Sequence, residues 1–145
     1  MYRIVRQSLA IAASVCLALS AHDLALSAEG RRPTRDAETD RDLYLVHCSA
    51  CHQPSGDGLA GVFPPLKGSS VVNKDDAEKH IQVVLYGMQG ARAGGVLYAA
   101  IMPSFAGALS DAEIVDIINY ERGAWGNHGT PVTALQVAAE RARQK

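Results

Sequence analysis

The residues best suited to chemistry are two cysteines and a histidine, in the run Cys48-Ser49-Ala50-Cys51-His52. On a helical turn, two thiols at this spacing can each add to one vinyl group of the same porphyrin. The imidazole of the next residue can then reach the iron. Cys-x-x-Cys-His is the attachment signature of a c-type haem. The motif therefore predicts one covalently bound haem, held by Cys48 and Cys51, with His52 as an iron ligand.

Other sites also use a Cys-x-x-Cys pair, and the surrounding sequence bears on each of them. An exported chain with two cysteines can form one disulfide. A dithiol oxidoreductase of the thioredoxin type needs a preceding strand, and no β-branched strand pattern precedes Cys48. A zinc site needs about four ligands, usually including a second Cys or His pair, which the sequence lacks. The adjacent His52 favours haem over all three.

The N-terminal segment has the features of a secretory signal peptide. Arg3 and Arg6 precede an uncharged, mostly apolar run over residues 9–19. That run is much shorter than the roughly 20 apolar residues that cross a bilayer. We predict a signal peptide over residues 1–28, with cleavage after Ala28 and export to the periplasm; the alternative is an uncleaved anchor. Cleavage would also remove Cys16, the third cysteine of the chain.

Charge and length give no indication of a nucleic-acid or membrane-surface partner, and they do not identify a protein partner. The 145 residues carry a formal net charge of −1, and no polybasic cluster indicates binding to nucleic acid or to a membrane surface. What remains after removal of the signal peptide is the size of one small domain. Charge alone therefore leaves the protein partner open.

The periodicity of apolar residues predicts an all-α fold with no internal repeat and no strand-rich segment. The expected order is a mobile lead-in over residues 29–39, a domain over 40–127, and a C-terminal extension over 128–145. Helices are predicted over 40–51, over 75–86, from Ser110, and over 133–144. Glu113 stands three residues after Ser110 and completes a capping box. A loop over 53–70 and a glycine-broken turn over 87–95 connect the first elements.

A sixth iron ligand is sought among two methionines and three histidines. Met102 is preferred because Pro103 fixes the backbone directly after it and can hold an extended loop that presents the thioether. Met88, in a glycine-flanked turn, is interpreted as a surface or gap-filling residue. His47 adjoins Cys48 on the same helix and cannot easily reach the far side of the porphyrin. His80 and His128 are interpreted as solvated side chains, with bis-histidine ligation kept as an alternative.

On these residues the sequence resembles the class I cytochrome c family over residues 40–127. Tyr44 matches the aromatic residue four positions before the first haem cysteine, and Tyr120 matches the aromatic residue of the last helix. Pro64-Pro65-Leu66-Lys67-Gly68 and Met102-Pro103 match the two loop motifs. The resemblance implies a helical fold around one haem, with Tyr44 and Tyr120 where the first and last helices cross. It also implies that the Pro64 carbonyl accepts a hydrogen bond from His52 and so belongs to the haem site.

A narrower resemblance is to cytochrome domains paired or fused with periplasmic dehydrogenases and copper nitrite reductases. It rests on the stretches Gly61-Val62-Phe63-Pro64-Pro65-Leu66, Met102-Pro103-Ser104-Phe105 and Trp125-Gly126-Asn127. The sequence departs from the family pattern at Asp40, where a glycine is frequent. In the loop before Met102, Tyr98 is either a hydrogen-bonding residue of the haem pocket or a packed tyrosine.

Three classes of function follow from one haem with His52 and Met102 as ligands. A saturated iron favours a free single-electron carrier, which is not an enzyme and which docks with a periplasmic dehydrogenase or reductase and a respiratory-chain component. The second class is the haem subunit of such a complex, with residues 128–145 either a partner-binding helix or, as we prefer, a solvated tail helix. The third is a sensor or enzyme with an open iron site, which requires that Met102 does not bind iron.

Overall fold

A computed structural model describes residues 37–143, so the predicted signal peptide and most of the lead-in lie outside the described residues. Within this range the chain is mostly helical, as predicted, with one short hairpin. The elements in chain order are α1 (Ala37–His47), α2 (Ser49–His52), α3 (Ser70–Asn73), α4 (Glu78–Tyr86), β1 (Ala91–Ala93), β2 (Val96–Tyr98), α5 (Asp111–Gly123) and α6 (Ala134–Ala142).

The first predicted helix is divided in two at the haem motif. Instead of one helix over 40–51, α1 ends at His47 and the single turn α2 begins at Ser49. Cys48 separates them because its φ of −120° lies outside the helical region. Its backbone N–H still bonds the Tyr44 carbonyl at 2.9 Å. The cysteine motif therefore begins at a bend in the chain.

The last long helix, α5, crosses α1 and carries the centre of the core. Its predicted capping box at Ser110 and Glu113 is confirmed. Ile114, Ile117 and Ile118 are buried on its inner face. At the crossing with α1, the Tyr44 and Tyr120 rings lie 5.3 Å apart, which confirms their predicted place.

A two-stranded antiparallel hairpin begins within the region predicted as a glycine-broken turn over 87–95. Strands β1 and β2 pair in the register Ala91 with Tyr98 and Ala93 with Val96. Gly94 and Gly95 connect them with φ values of +56° and +81°. Positive φ at both central residues is typical of the type I′ turn, whose twist matches that of paired strands. The glycines predicted to break the chain therefore also close a hairpin.

Helix α6 packs against the domain, so the interpretation of the C-terminal region as a solvated tail helix is wrong. Val137 is fully buried between α6 and its neighbours α4 and α5. The Arg141 guanidinium bonds the Asp111 carboxylate at 2.7 Å and also donates to the Ala106 carbonyl. The Tyr86 hydroxyl donates to the Glu140 carbonyl. The buried Val137 and these polar contacts thus help to hold α6 in place.

None of the helices within residues 37–143 has the length and apolar character needed to cross a membrane.

Candidate functional site

A cavity of about 340 Å³ lies where the haem motif meets α3, α4, α5 and the loop that carries Met102. Its size is within the range of small-molecule and cofactor pockets, about 300–1,000 Å³. Most of the lining is apolar, from residues such as Phe63, Leu66, Val84 and Ile117. Its sulfur and imidazole groups come from Cys48, Cys51, His52, Met88, Met102, His47 and His80. The sequence-predicted site residues are therefore brought together around one cavity.

The two cysteines of the motif are free thiols, so the single disulfide considered for this chain is absent from the structure. Cys48 is buried, whereas Cys51 is partly exposed. Burial raises the pKa of the Cys48 thiol far above its ordinary value, and the nearby Glu121 carboxylate raises it further. Cys48 therefore lies in an apolar wall of the cavity.

His52 is buried and oriented by a hydrogen bond to the loop that follows it. Its Nδ1 lies 3.0 Å from the Pro64 carbonyl oxygen, the contact that the family resemblance implies. A carbonyl oxygen can only accept, so Nδ1 carries the proton. The lone pair is then on Nε2, which is the tautomer that a metal-ligating histidine needs.

The loop that carries Pro64 is tied to the end of α5 by Asn127, whose role the sequence did not reveal. The buried Asn127 amide oxygen accepts from the Gly68 backbone at 2.8 Å. Its amide nitrogen donates to the carbonyls of Glu121 at 2.8 Å and Leu66 at 3.2 Å. Asn127 belongs to a stretch that carried the family resemblance, and this was the only sequence signal for it. Its contacts fix the loop that in turn orients His52.

Met102 and Met88 lie directly opposite each other in an isolated antiparallel bridge. The Met88 N–H donates to the Met102 carbonyl at 3.1 Å, and the Met102 N–H donates to the Met88 carbonyl at 2.9 Å. Residues paired in this way project their side chains to the same face. Met88, interpreted from the sequence as a surface or gap-filling residue, is partly buried and lines the cavity together with Met102.

The segment after Met102 is anchored to the C-terminal end of α4. The Ser104 hydroxyl donates to the Leu85 carbonyl at 2.6 Å, and the Phe105 N–H donates to the Val84 carbonyl at 3.2 Å. Gly87 lies at this junction with φ +76°, and a Cβ there would collide with the Met102 carbonyl. A glycine is therefore required where α4 ends and the methionine bridge begins.

The other histidines occupy three different environments. His47 lines the cavity, and its ring stands edge-on to Phe105 at 6.3 Å between centroids. His128 is exposed, as predicted. His80 was predicted to be solvated and is instead 3 % exposed, with its Nε2 2.8 Å from a Glu121 carboxylate oxygen. The prediction failed because α4 turns His80 toward α5, together with its apolar face.

The structure also shows where Tyr98 and Asp40 lie, the two residues whose roles the sequence left open. Tyr98 is buried on β2 and is not among the cavity-lining residues, which agrees with a packed tyrosine. Asp40 lies on α1, where it is partly buried.

The residues of the cavity fit a c-type haem by the chemistry of their donor groups. Two thiols are present for thioether bonds, an oriented imidazole offers Nε2, a thioether side chain is available, and the remaining wall is apolar. By contrast, residues 37–143 contain no group of three or more His, Cys, Asp or Glu side chains that could hold a metal ion without a porphyrin.

A family model and individual relatives both identify the same protein family. A family model described as cytochrome c matches residues 38–125. Cytochrome c-552 of Thermus thermophilus is 36% identical over 117 residues, which cover 74% of this chain and 78% of that protein.

Two further relatives are subunits of larger enzymes. The cytochrome c subunit of a quinone alcohol dehydrogenase from Gluconobacter oxydans is 38% identical over 87 residues, 60% of this chain and 18% of that subunit. The gluconate 2-dehydrogenase cytochrome c subunit of Pantoea cypripedii is 32% identical over 108 residues, 73% of this chain and 24% of that subunit. The chain thus spans a quarter or less of these two subunits.

Proposed function

Because the chain belongs to the cytochrome c family and so carries a covalently bound haem, we propose that it is a single-electron carrier with His52 and Met102 as axial ligands. The observation that carries this proposal is the hydrogen bond from His52 Nδ1 to Pro64, which leaves Nε2 free inside the cavity that Met102 also lines. When bound, the haem supplies the one-electron couple of its iron, and the chain supplies burial, orientation and ligands.

Cys48 and Cys51 have the role of covalent tethers in this proposal. Each sulfur forms one thioether bond, and the fixed turn of α2 keeps His52 directly after the second bond. The Pro64 carbonyl holds the imidazole ring in one orientation and raises the basicity of Nε2. Asn127 supports this arrangement from outside the cavity through its contacts with the same loop.

Met102 is preferred over Met88 as the second axial ligand because its segment is the more firmly anchored one. Three hydrogen bonds from residues 104–106 to Val84 and Leu85 fix the chain just after Met102. A His/Met pair raises the reduction potential, and two protein ligands leave no iron position for a substrate. The site therefore supports electron transfer, and we propose that the protein is not an enzyme.

The cellular setting and the partners are part of the proposal. The N-terminal pattern of Arg3, Arg6 and the apolar run over 9–19 supports export to the periplasm. A carrier there would exchange electrons with a dehydrogenase or reductase and with a respiratory-chain component. The match to most of the length of cytochrome c-552 supports the free carrier.

The second candidate is an electron-transfer subunit of a periplasmic dehydrogenase or reductase complex. It is favoured by the similarity to cytochrome c subunits of two dehydrogenases. The two candidates predict different purification behaviour of the full chain from its native membrane and periplasmic fractions. A free carrier elutes alone at the size of one domain, whereas a complex subunit co-elutes with dehydrogenase activity.

Spectroelectrochemical titration of the haem-loaded protein, followed by exposure of the reduced form to carbon monoxide, tests the proposed carrier function. We expect a single one-electron transition and no spectral change with carbon monoxide, because both axial positions are filled. Met102→Ala is the matched positive control, since it should open one position to carbon monoxide. Rapid binding of carbon monoxide to the unaltered protein would contradict the proposal and favour an open iron site.

A further inference from the structure

His80 and Glu121 form a buried, hydrogen-bonded pair in the wall of the haem cavity. Each residue is 3 % exposed, and His80 Nε2 lies 2.8 Å from Glu121 Oε2. Both residues line the same cavity as His52 and Met102. His80 Nδ1 is buried and has no hydrogen-bond partner within residues 37–143. The His80–Glu121 pair is thus one of the polar features of a mostly apolar wall.

Ionisable side chains at these two positions stand among apolar ones. On α4 and α5 their neighbours are apolar and buried, among them Ile81, Val84, Ile117 and Ile118. Removing two charges from water costs free energy that their attraction often fails to offset, so a buried ion pair is weak evidence of a stabilising role.

The charge of Glu121 acts at the place where the haem is attached. After burial itself, Glu121 is the next largest cause that raises the pKa of both the Cys48 thiol and the Tyr44 hydroxyl. In a low-dielectric interior, the field of a carboxylate is weakly screened. A negative charge close to the haem stabilises the oxidised iron relative to the reduced iron, and therefore lowers the reduction potential.

We propose that the His80–Glu121 pair sets the reduction potential of the haem and takes up a proton when the iron is reduced. This inference rests on the proposed carrier function. One electron arrives from the redox partner and reduces ferric to ferrous iron, and one proton from water passes to the pair. The pair then changes from net −1 to net zero, which offsets the positive charge lost at the iron. Loss of the electron from the iron and of the proton from the pair restores the starting state.

Other titratable groups lie on the elements packed around the pair, and several have partners elsewhere. On α5, the Arg122 guanidinium is directed to the carbonyls of Thr130 and Lys74, each at 2.6 Å. On α6, Glu140 binds Gln82 and Arg143. Helix α3 contributes no titratable side chain. Among residues 39–143, the remaining titratable groups on the packed elements are Glu78, Lys79 and Tyr86 on α4, Asp40, Arg41, Asp42, Tyr44 and His47 on α1, Asp111, Glu113, Asp116 and Tyr120 on α5, Arg141 on α6, Cys51 and His52 on α2, and Cys48 between α1 and α2.

The first test compares Glu121→Gln with Glu140→Gln in the haem-loaded protein. Both glutamates are buried, and Glu140 is not among the residues that line the cavity. We expect Glu121→Gln to raise the equilibrium constant for reduction about tenfold, which is about 59 mV for one electron. Glu140→Gln should leave it unchanged. Equal changes in both variants, or no change in Glu121→Gln, would overturn the proposal.

The pH dependence of the potential gives the second readout. Because the pair takes up a proton when the iron is reduced, the potential of the unaltered protein should fall as pH rises. The double variant His80→Leu/Glu121→Leu replaces the pair with apolar residues and leaves no unpaired buried charge. It therefore keeps the proposal testable if Glu121→Gln fails to fold. It should lose that slope and retain a low-spin spectrum. The same slope in the double variant would overturn the proposal, whereas a high-spin spectrum of the unaltered protein would instead refute the proposed function.

Discussion

The two sides of the haem cavity are built in different ways. The proximal side, Cys48 to His52 with Pro64, depends on contacts close in sequence: a five-residue motif and a hydrogen bond to a carbonyl 12 residues later. The distal side, Met88 and Met102 with the hairpin between them, depends on a backbone bridge and on anchoring to the end of α4. The proposed proximal ligand is therefore positioned by local contacts, whereas tertiary structure positions both methionines that could serve as the distal ligand.

The largest effect should follow from loss of the proximal tethers. In Cys48→Ala/Cys51→Ala we expect no covalently attached haem, because each thioether bond needs a cysteine sulfur. Intact mass and haem staining after denaturing electrophoresis measure the attachment. Ser49→Ala, between the two cysteines, is the control and should keep its haem. Covalent haem in the double variant would show that the attachment lies elsewhere.

Replacing the distal ligand should lower the reduction potential and keep the haem. For Met102→His we expect a fall on the order of 0.1–0.3 V, within the roughly 0.8 V over which axial ligands tune haem potentials. The thioether favours ferrous iron, and imidazole favours it less. Potentiometric titration measures the change, with Met88→Leu as control. A fall of similar size in Met88→Leu would reverse the assignment of the two methionines.

A backbone substitution at Gly87 should disturb the distal side alone. Gly87 combines φ +76° with ψ −178°, a region that is essentially glycine-only and costs about 1–3 kcal/mol for other residues. With the added collision against the Met102 carbonyl, we expect Gly87→Ala to lower the free energy of unfolding by about 3 kcal/mol. Guanidinium unfolding followed by circular dichroism measures this.

Gly107→Ala is the matched control for Gly87, because a Cβ at Gly107 meets nothing within 4 Å. Its effect should stay within about 0.5 kcal/mol. If the two alanine variants unfold at the same denaturant concentration, the methionine bridge does not depend on a close approach at Gly87.

A smaller effect is expected where the proximal loop meets α5. Asn127→Ala removes the amide that binds Gly68, Leu66 and Glu121 and leaves buried groups without a partner. We expect the free energy of unfolding to fall by about 2 kcal/mol. His128→Ala, at the next and exposed position, should change it by less than about 0.5 kcal/mol. Equal stability of both variants would remove Asn127 from the support of the His52 loop.

The same contrast explains what could be predicted from the sequence. The capping box at Ser110 follows from a short motif, and the family resemblance implied the crossing of Tyr44 with Tyr120; the structure has both. The hairpin was missed because its strands have three residues each, too few to show a period of two. The type I′ signal was nevertheless present in Gly94-Gly95.

Long-range pairing explains the remaining errors. His80 looked like a solvated histidine because its partner Glu121 lies 41 residues away and belongs to another helix. Met88 was not expected beside Met102, because no short sequence motif indicates the bridge between them. The sequence predicted the helix α6, but its amphipathic pattern did not indicate that Val137 packs against α4 and α5.

The most direct test of the His52/Met102 assignment is the far-red sulfur–iron absorption band of the oxidised, haem-loaded protein. We expect a low-spin spectrum with this band in the unaltered protein and in Met88→Ala, and no such band in Met102→Ala. A band that survives in Met102→Ala and disappears in Met88→Ala, or a high-spin spectrum of the unaltered protein, would contradict the account.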